Sequence, residues 1–326
     1  MFLGLLFALG GLGVLTVAAD HFVKGAARLA VHYRVAPVVV GAVLIGFGTS
    51  APEMVVSGIA AGQGRLDIGV GNIIGSNVAN ISLVLAAATT VAVIPVNSRT
   101  VRREIPISVA SVAVFALLIQ GTVERWEGAL LAVMIGLFLY STLRSSSADT
   151  ELDDEIVGIT GGRAIRIRLE YGRALAGLVA VVLSSWCIVE GAGRVAEALD
   201  LSGGFVGFTL VALGTSAPEL VTSVQAARQG ETDLLVGNLL GSNVFNSLAV
   251  GGIIGLVGPG AIPDSTLGET GSLLMVIICL VSAAFMVHRA SVGRTKGFIL
   301  FFMWVVSVVI LSGGETVEVT LSPLGL

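Results

Sequence analysis

The sequence predicts an all-α membrane protein of ten transmembrane helices arranged as two inverted five-helix repeats. Three observations carry this: too few charges to cover a water-facing surface, a series of long uncharged runs, and an internal repeat whose copies lie an odd number of spans apart. Of 326 residues, 55% are hydrophobic and 12% charged, and the mean hydropathy is +0.96. A soluble domain carries about 25% charged residues. Residues 1–19, 35–52, 68–98, 105–123, 174–189, 270–287 and 297–314 hold no charge, and 126–143 hold only Glu127. A span needs about 20 mostly apolar residues.

The pattern places spans at 1–30, 36–62, 67–94, 104–122, 126–143, 172–199, 203–229, 233–258, 268–288 and 295–313. No basic segment precedes the first apolar run, so it reads as a span rather than a secretory signal. The polar stretch 144–171 divides the chain into an N-terminal half, 1–143, and a C-terminal half, 172–326. Cytoplasmic loops are enriched in Lys and Arg. With the N-terminus outside, the inward loops hold Lys24, Arg28, Arg34, Arg99, Arg102, Arg103, Arg144, Arg163, Arg166, Arg168, Arg173, Arg228, Arg289, Arg294 and Lys296, which is 15 of the 18 basic residues. Arg65, Arg125 and Arg194 fall outside. The expected topology in the cell membrane therefore has both termini extracytoplasmic and linker 144–171 cytoplasmic.

Residues 40–80 read VGAVLIGFGTSAPEMVVSGIAAGQGRLDIGVGNIIGSNVAN, and residues 206–246 read VGFTLVALGTSAPELVTSVQAARQGETDLLVGNLLGSNVFN. Without a gap, 24 of 41 positions are identical. The copies stand five spans apart and so cross the membrane in opposite directions, an architecture that places a transport site at the midplane between repeats. The offset also pairs Gly25 with Gly191 and Arg28 with Arg194.

Each copy buries one carboxylate in an apolar run, Glu53 and Glu219. A charge at the bilayer centre costs at least about 2.5–3.5 kcal/mol, and such residues mark ion pathways by default. Thr49 and Ser50 precede Glu53 by four and three residues, on the same helical face. Pro52 lacks the amide that would bond the Gly48 carbonyl. Thr215, Ser216, Pro218 and Glu219 repeat the arrangement. Ser76 and Asn80, like Ser242 and Asn246, are i,i+4 pairs that add oxygens along one face of the next span. Carboxylate, hydroxyl and carbonyl oxygens are what hard cations such as Ca²⁺ take as ligands. Asn72, Asn77, Asn238 and Asn243 fit either ion contact or bonding between helices. Gly71 with Gly75, and Gly237 with Gly241, form strips that let helices approach closely.

GFGTSAPE with GNIIGSNVAN, and ALGTSAPE with GNLLGSNVFN, resemble the two α-repeats of the cation/Ca²⁺ antiporter superfamily, in particular its prokaryotic sodium/calcium exchanger branch. The resemblance implies a secondary active antiporter exchanging Ca²⁺ for Na⁺ by alternating access, with spans 1 and 6 sliding across spans 2, 3, 7 and 8. It implies that Glu53 and Glu219 ligate Ca²⁺ and share Na⁺, that Thr49, Ser50, Thr215 and Ser216 add oxygens, and that Ser76, Asn80, Ser242 and Asn246 complete the Na⁺ sites. Some family members carry aspartate where this chain has Asn246, so the site here holds two acids rather than three.

Ca²⁺, Na⁺ and the bilayer are the expected partners, with no cofactor, nucleic acid or obligatory protein partner. An H⁺/Ca²⁺ antiporter of the same superfamily and a passive cation channel remain alternatives. An enzyme is not expected: HExxH and GxSxG are absent, and His21, His32 and His288 fall near span ends. Cys187 and Cys279 are too few for a disulfide framework. Asp67 and Asp233 suit helix starts, and Asp20 and Glu190 are expected to be solvated. The topology yields a test. On a background lacking Cys187 and Cys279, a cysteine at 145–160 should be shielded from an impermeant thiol reagent in intact cells, and one near Pro323 labelled. The reverse pattern would invert the orientation.

Overall fold

Backbone amides in hydrocarbon must find partners within their own segment, and helices accordingly make up nearly all of the described residues. The computed structural model describes residues 1–33, 37–98, 100–145 and 166–318; Arg34, Arg99, most of the linker and the C-terminal residues 319–326 lie outside these. The helices are α1 (Phe2–His32), α2 (Pro37–Gly62), α3 (Leu66–Val91), α4 (Ile105–Leu118), α5 (Arg125–Ser145), α6 (Ile167–Leu199), α7 (Gly203–Thr215), α8 (Ala217–Gln229), α9 (Thr232–Val257), α10 (Leu267–Ala290) and α11 (Arg294–Glu318). Six of them, α1, α3, α6, α9, α10 and α11, contain stretches long and apolar enough to cross a membrane; α7 and α8, bent by 46° where they meet, make a seventh if counted as one. α3 and α9 are each interrupted by a π turn, at Asn80–Val84 and Phe245–Val250.

Large apolar side chains cover the outside as well as the core. Leu117, Leu175 and Phe298 are exposed, while Ile73, Phe115 and Leu239 are fully buried. An apolar exterior of this extent suits lipid rather than water.

α1 and α6 pack side by side in opposite directions, because small residues meet along their length. A Cβ on Gly11 would lie 2.9 Å from the Ser184 carbonyl oxygen, and one on Gly25 would lie 2.8 Å from the Ala174 amide. Gly177 faces Phe22 and Ala18, and Gly191 faces Ala8. These contacts come in pairs related by the 166-residue offset: Gly25 on Ala174 answers Gly191 on Ala8, and Gly11 on Ser184 answers Gly177 on Ala18. At one end Arg28 Nη1 donates to the buried Glu170 Oε1 at 2.8 Å, and the Tyr33 and Tyr171 hydroxyls meet at 2.8 Å. At the other end Arg194 lies over the Phe7 ring and donates to Glu190 at 2.9 Å. Glu190 also faces Arg65 at 3.4 Å, so it is a paired, partly buried group rather than the solvated one expected. Asp20 is exposed and pairs with Lys24 at 2.8 Å.

Two short antiparallel bridges tie loops of the two halves together. β1 (Ile94–Pro95) pairs with β4 (Ser291–Val292), and β2 (Thr122–Val123) pairs with β3 (Gly260–Ala261). β1 and β3 stand at the same 166-residue offset as the sequence repeat.

α3 is the most enclosed of the apolar helices, and glycines make that possible. A Cβ on Gly71 would collide with the Gly204 carbonyl, and one on Gly75 with the Phe208 carbonyl; from the α7 side, Gly207 would place a Cβ 2.5 Å from the Ile68 carbonyl oxygen. The equivalent Gly241 has nothing within 4 Å of its Cβ position among the described residues, so the close approach expected of both strips is seen at the first. Gly75→Ala forces backbone apart and should cost about 1–3 kcal/mol. Gly10→Ala, with open space at its Cβ, should be neutral or stabilising by up to about 1 kcal/mol. Thermal unfolding of the purified variants in detergent compares them, and equal midpoints would contradict the packing described.

Candidate functional site

Glu53 and Glu219 are both fully buried. Glu53 lies in α2 directly after Pro52. Glu219 lies in the first turn of α8, just past a break at Ser216 (φ −85°, ψ 6°) that separates α7 from α8. Pro218 cannot donate to the Gly214 carbonyl of the preceding turn, which permits the break; the same GTSAPE sequence stays helical around Pro52 in α2, so proline does not dictate it alone. The unpaired amides of a helix start favour a negative charge there, so the break gives the Glu219 carboxylate a supportive dipole.

The other oxygen-bearing side chains collect on α2, α3, the α7–α8 junction and α9. Ser216 Oγ donates to Glu53 Oε1 at 3.4 Å, joining the two repeats directly. Ser76 Oγ and Thr215 Oγ1 stand 3.5 Å apart. Asn80 Nδ2 donates to Asn243 Oδ1 at 3.2 Å. Ser50, Ser242 and Asn246 are buried on the same elements. Thr49 belongs to α2, but its side chain lies outside the described residues. Asn80 and Asn246 both sit within the π turns of α3 and α9, where the wider turn alters the face that the side chains present.

The unsatisfied groups define the chemistry. Among the described residues of α2, α3, α8 and α9, Ser50 Oγ, Glu53 Oε2, Asn77 Oδ1, Asn80 Oδ1, both carboxylate oxygens of Glu219, Ser223 Oγ and Asn246 Oδ1 are buried without a hydrogen-bond partner. All eight are oxygens, six able only to accept and two hydroxyls free to accept once they turn, and leaving such a group buried and unpaired costs about 1–3 kcal/mol each. A surplus of inward-facing acceptors around two carboxylates fits a hard cation and does not fit an anion.

The four undecided asparagines divide. Asn72 spends its whole amide on protein: Nδ2 donates to Ser57 Oγ at 3.0 Å and Oδ1 accepts from Thr215 Oγ1 at 3.1 Å. Asn243 does likewise, accepting from Asn80 and donating to the Asn77 carbonyl at 3.2 Å. Asn77 donates to Ser247 Oγ at 3.0 Å and keeps Oδ1 free. Asn238 is only partly buried. Ser57 and Ser223 were not singled out by the motif reading, although both stand four residues after their glutamate and are identical in the two copies. That duplication at helical spacing was the available signal.

Comparison with known proteins identifies the family. The family model for sodium/calcium exchanger protein matches residues 3–144 and 170–313. The putative antiporter CaxA of Alkalimonas amylolytica is 34% identical over 315 residues, covering 94% of this chain and 97% of that protein. The sodium/calcium exchanger MaX1 of Methanosarcina acetivorans is 28% identical over 342 residues, covering 94% and 97%. A solved structure of the sodium-calcium exchanger NCX_Mj superposes with TM-score 0.65 at 28% identity, covering 94% of this chain and 98% of that one. The chain belongs to the sodium/calcium exchanger protein family, a family of membrane transporters rather than enzymes.

Proposed function

We propose that this protein exchanges Ca²⁺ for Na⁺ across the cell membrane by alternating access, with the ions held between α2, α3, α8 and α9. The observation that carries this reading is the group of buried, partnerless oxygens around Glu53 and Glu219. Ca²⁺ takes six to eight oxygen ligands, and the two carboxylates would neutralise its charge. Ser50, Thr215 and Ser216, together with Thr49, would add oxygens to the Ca²⁺ site, and Ser76, Asn80, Ser242 and Asn246 those for Na⁺. Na⁺ rather than H⁺ coupling is supported by these four neutral side chains, which add oxygens without a third acid.

Ten spans in two inverted halves, 1–143 and 172–326, fit this mechanism. The offset-related contacts of α1 with α6 support the inversion. The bridges support the span count: β1–β4 joins two loops expected on the cytoplasmic side, and β2–β3 joins two expected outside. Both termini outside and the linker in the cytoplasm complete the proposed topology, on the distribution of basic residues.

Reconstituted protein loaded with Na⁺ should take up Ca²⁺ when diluted into Na⁺-free medium. Uptake driven equally by a pH gradient with no Na⁺ present would replace Na⁺ by H⁺ as the coupling ion, and flux without any counter-ion would indicate a channel. Glu53→Gln and Glu219→Gln each keep the shape but leave a buried divalent ion short of one counter-charge. Each should lower Ca²⁺ uptake roughly a hundredfold or more, the scale of a broken buried charge pair, while the protein still inserts and folds. Near-normal uptake by either variant would remove the paired-carboxylate mechanism. Ser76→Ala should be milder and act on Na⁺ dependence.

A further inference from the structure

Away from the ion site, the outer face of the α1–α6 pair holds a groove of about 700 Å³. Its walls are Val14 and Val17 of α1 and Gly172 and Ala176 of α6, and it closes against the tight Ala18–Gly177 crossing. One end is cationic, lined by His21, Arg168 and Arg173. From Gly13 to His21 the groove runs roughly 12 Å at the helical rise, close to the ~15 Å depth of one hydrocarbon leaflet. It therefore stops near mid-membrane, too short for a second spanning helix and long enough for an acyl chain.

Among the described residues, the open end gathers Lys24, Arg28, Arg166, Arg168 and Arg173 against two acids, Asp20 and Glu170. The acids are already engaged, Asp20 by Lys24 and Glu170 by Arg28 at 2.8 Å and Arg173 at 3.6 Å. Arg166 and Arg168 have no ion pair among the described residues. α6 also begins at Ile167, so the positive end of a 33-residue helix dipole adds to the same corner.

We propose that this groove binds one anionic phospholipid from the adjoining leaflet, its acyl chain along Val14, Val17 and Ala176 and its phosphate at Arg168 and Arg173. A basic notch between membrane helices is suited to an acidic headgroup, and the apolar walls select a lipid over a free phosphate. The site rests on the chain being a membrane protein and not on the coupling ion.

Native mass spectrometry of the detergent-purified protein tests it, with phosphatidylglycerol and phosphatidylcholine of the same chains as probes. Wild type should retain phosphatidylglycerol at least fivefold better. Arg168→Gln should lose roughly fivefold, the factor expected for one cation at a membrane surface. Gly172→Leu and Gly13→Leu fill the groove where a Cβ meets nothing within 4 Å, so both should fold, with unchanged unfolding midpoints in detergent, yet lose the bound lipid. Equal retention of the two lipids, or phosphatidylglycerol retained as in wild type by a folded groove-filling variant, would overturn the proposal. So would an equal rise in unfolding midpoint with inorganic phosphate alone.

Discussion

Two carboxylates held inside an apolar bundle, with no cationic side chain paired to either among the described residues, are the constraint on which the rest of the structure depends. Charge without a partner in a low-dielectric interior is costly, and the cost is met by a bound cation or by a proton. Every nearby polar feature is consistent with that demand. Ser216 reaches across from the second repeat to Glu53, the α7–α8 break points a helix start at Glu219, and the free amide oxygens of Asn80 and Asn246 face inward as acceptors. The amides that do not serve as acceptors are spent on protein. Asn72 ties α2 to Thr215, and Asn243 ties Asn80 to the backbone at Asn77.

Holding acceptors that close together requires helices to approach closely, and glycine supplies the room. Gly71, Gly75 and Gly207 let α3 and α7 meet backbone to backbone beside Ser76 and Thr215. The α1–α6 pair uses the same means, with glycine and alanine meeting at offset-related positions and ion pairs at both ends. Close backbone contact along this seam holds α1 and α6 together as one unit, as the sliding that the family resemblance implies would require, and the Arg28–Glu170 pair at one end and Arg194 over the Phe7 ring at the other would fix its register.

The parts of this architecture that the sequence made legible are those where a residue type is anomalous for its setting. Glu53 and Glu219 stood out because a charge interrupts an apolar run twice at one offset. The helices stood out because hydrocarbon leaves the backbone little choice. Less legible were features decided by which neighbour a side chain meets. An asparagine looks the same whether its amide is spent, as in Asn72, or half free, as in Asn77. Glu190 read as a helix-end group, and only the fold brings Arg65 beside it. The π turns at Asn80 and Phe245 carry no composition signal comparable to proline, and Ser57 and Ser223 were overlooked because serine is unremarkable in a membrane helix. Gly237 and Gly241 show the converse: the strip is small, yet among the described residues no helix packs closely against it.

Asn246 bears on what the ion site can carry. With Asn80 and Asn246 neutral, Glu53 and Glu219 set its formal charge at −2, which one Ca²⁺ or two Na⁺ would cancel. A third Na⁺ would leave one uncompensated charge among buried groups, where the interaction between charges is many times stronger than in water. Alternating access moves the loaded site across the region of lowest dielectric, so a neutral load crosses at least cost in both directions. The expected cycle is therefore one Ca²⁺ against two Na⁺ with no net charge moved. Na⁺-driven Ca²⁺ uptake into vesicles clamped with K⁺ and valinomycin should then be insensitive to the imposed potential. Asn246→Asp, by restoring a third acid, should admit a further cation and make the same uptake potential-dependent. A wild-type rate that follows the clamp would show that a positive load crosses, and that neutral oxygens such as Asn246 Oδ1 carry more of the third ion's charge than two carboxylates allow.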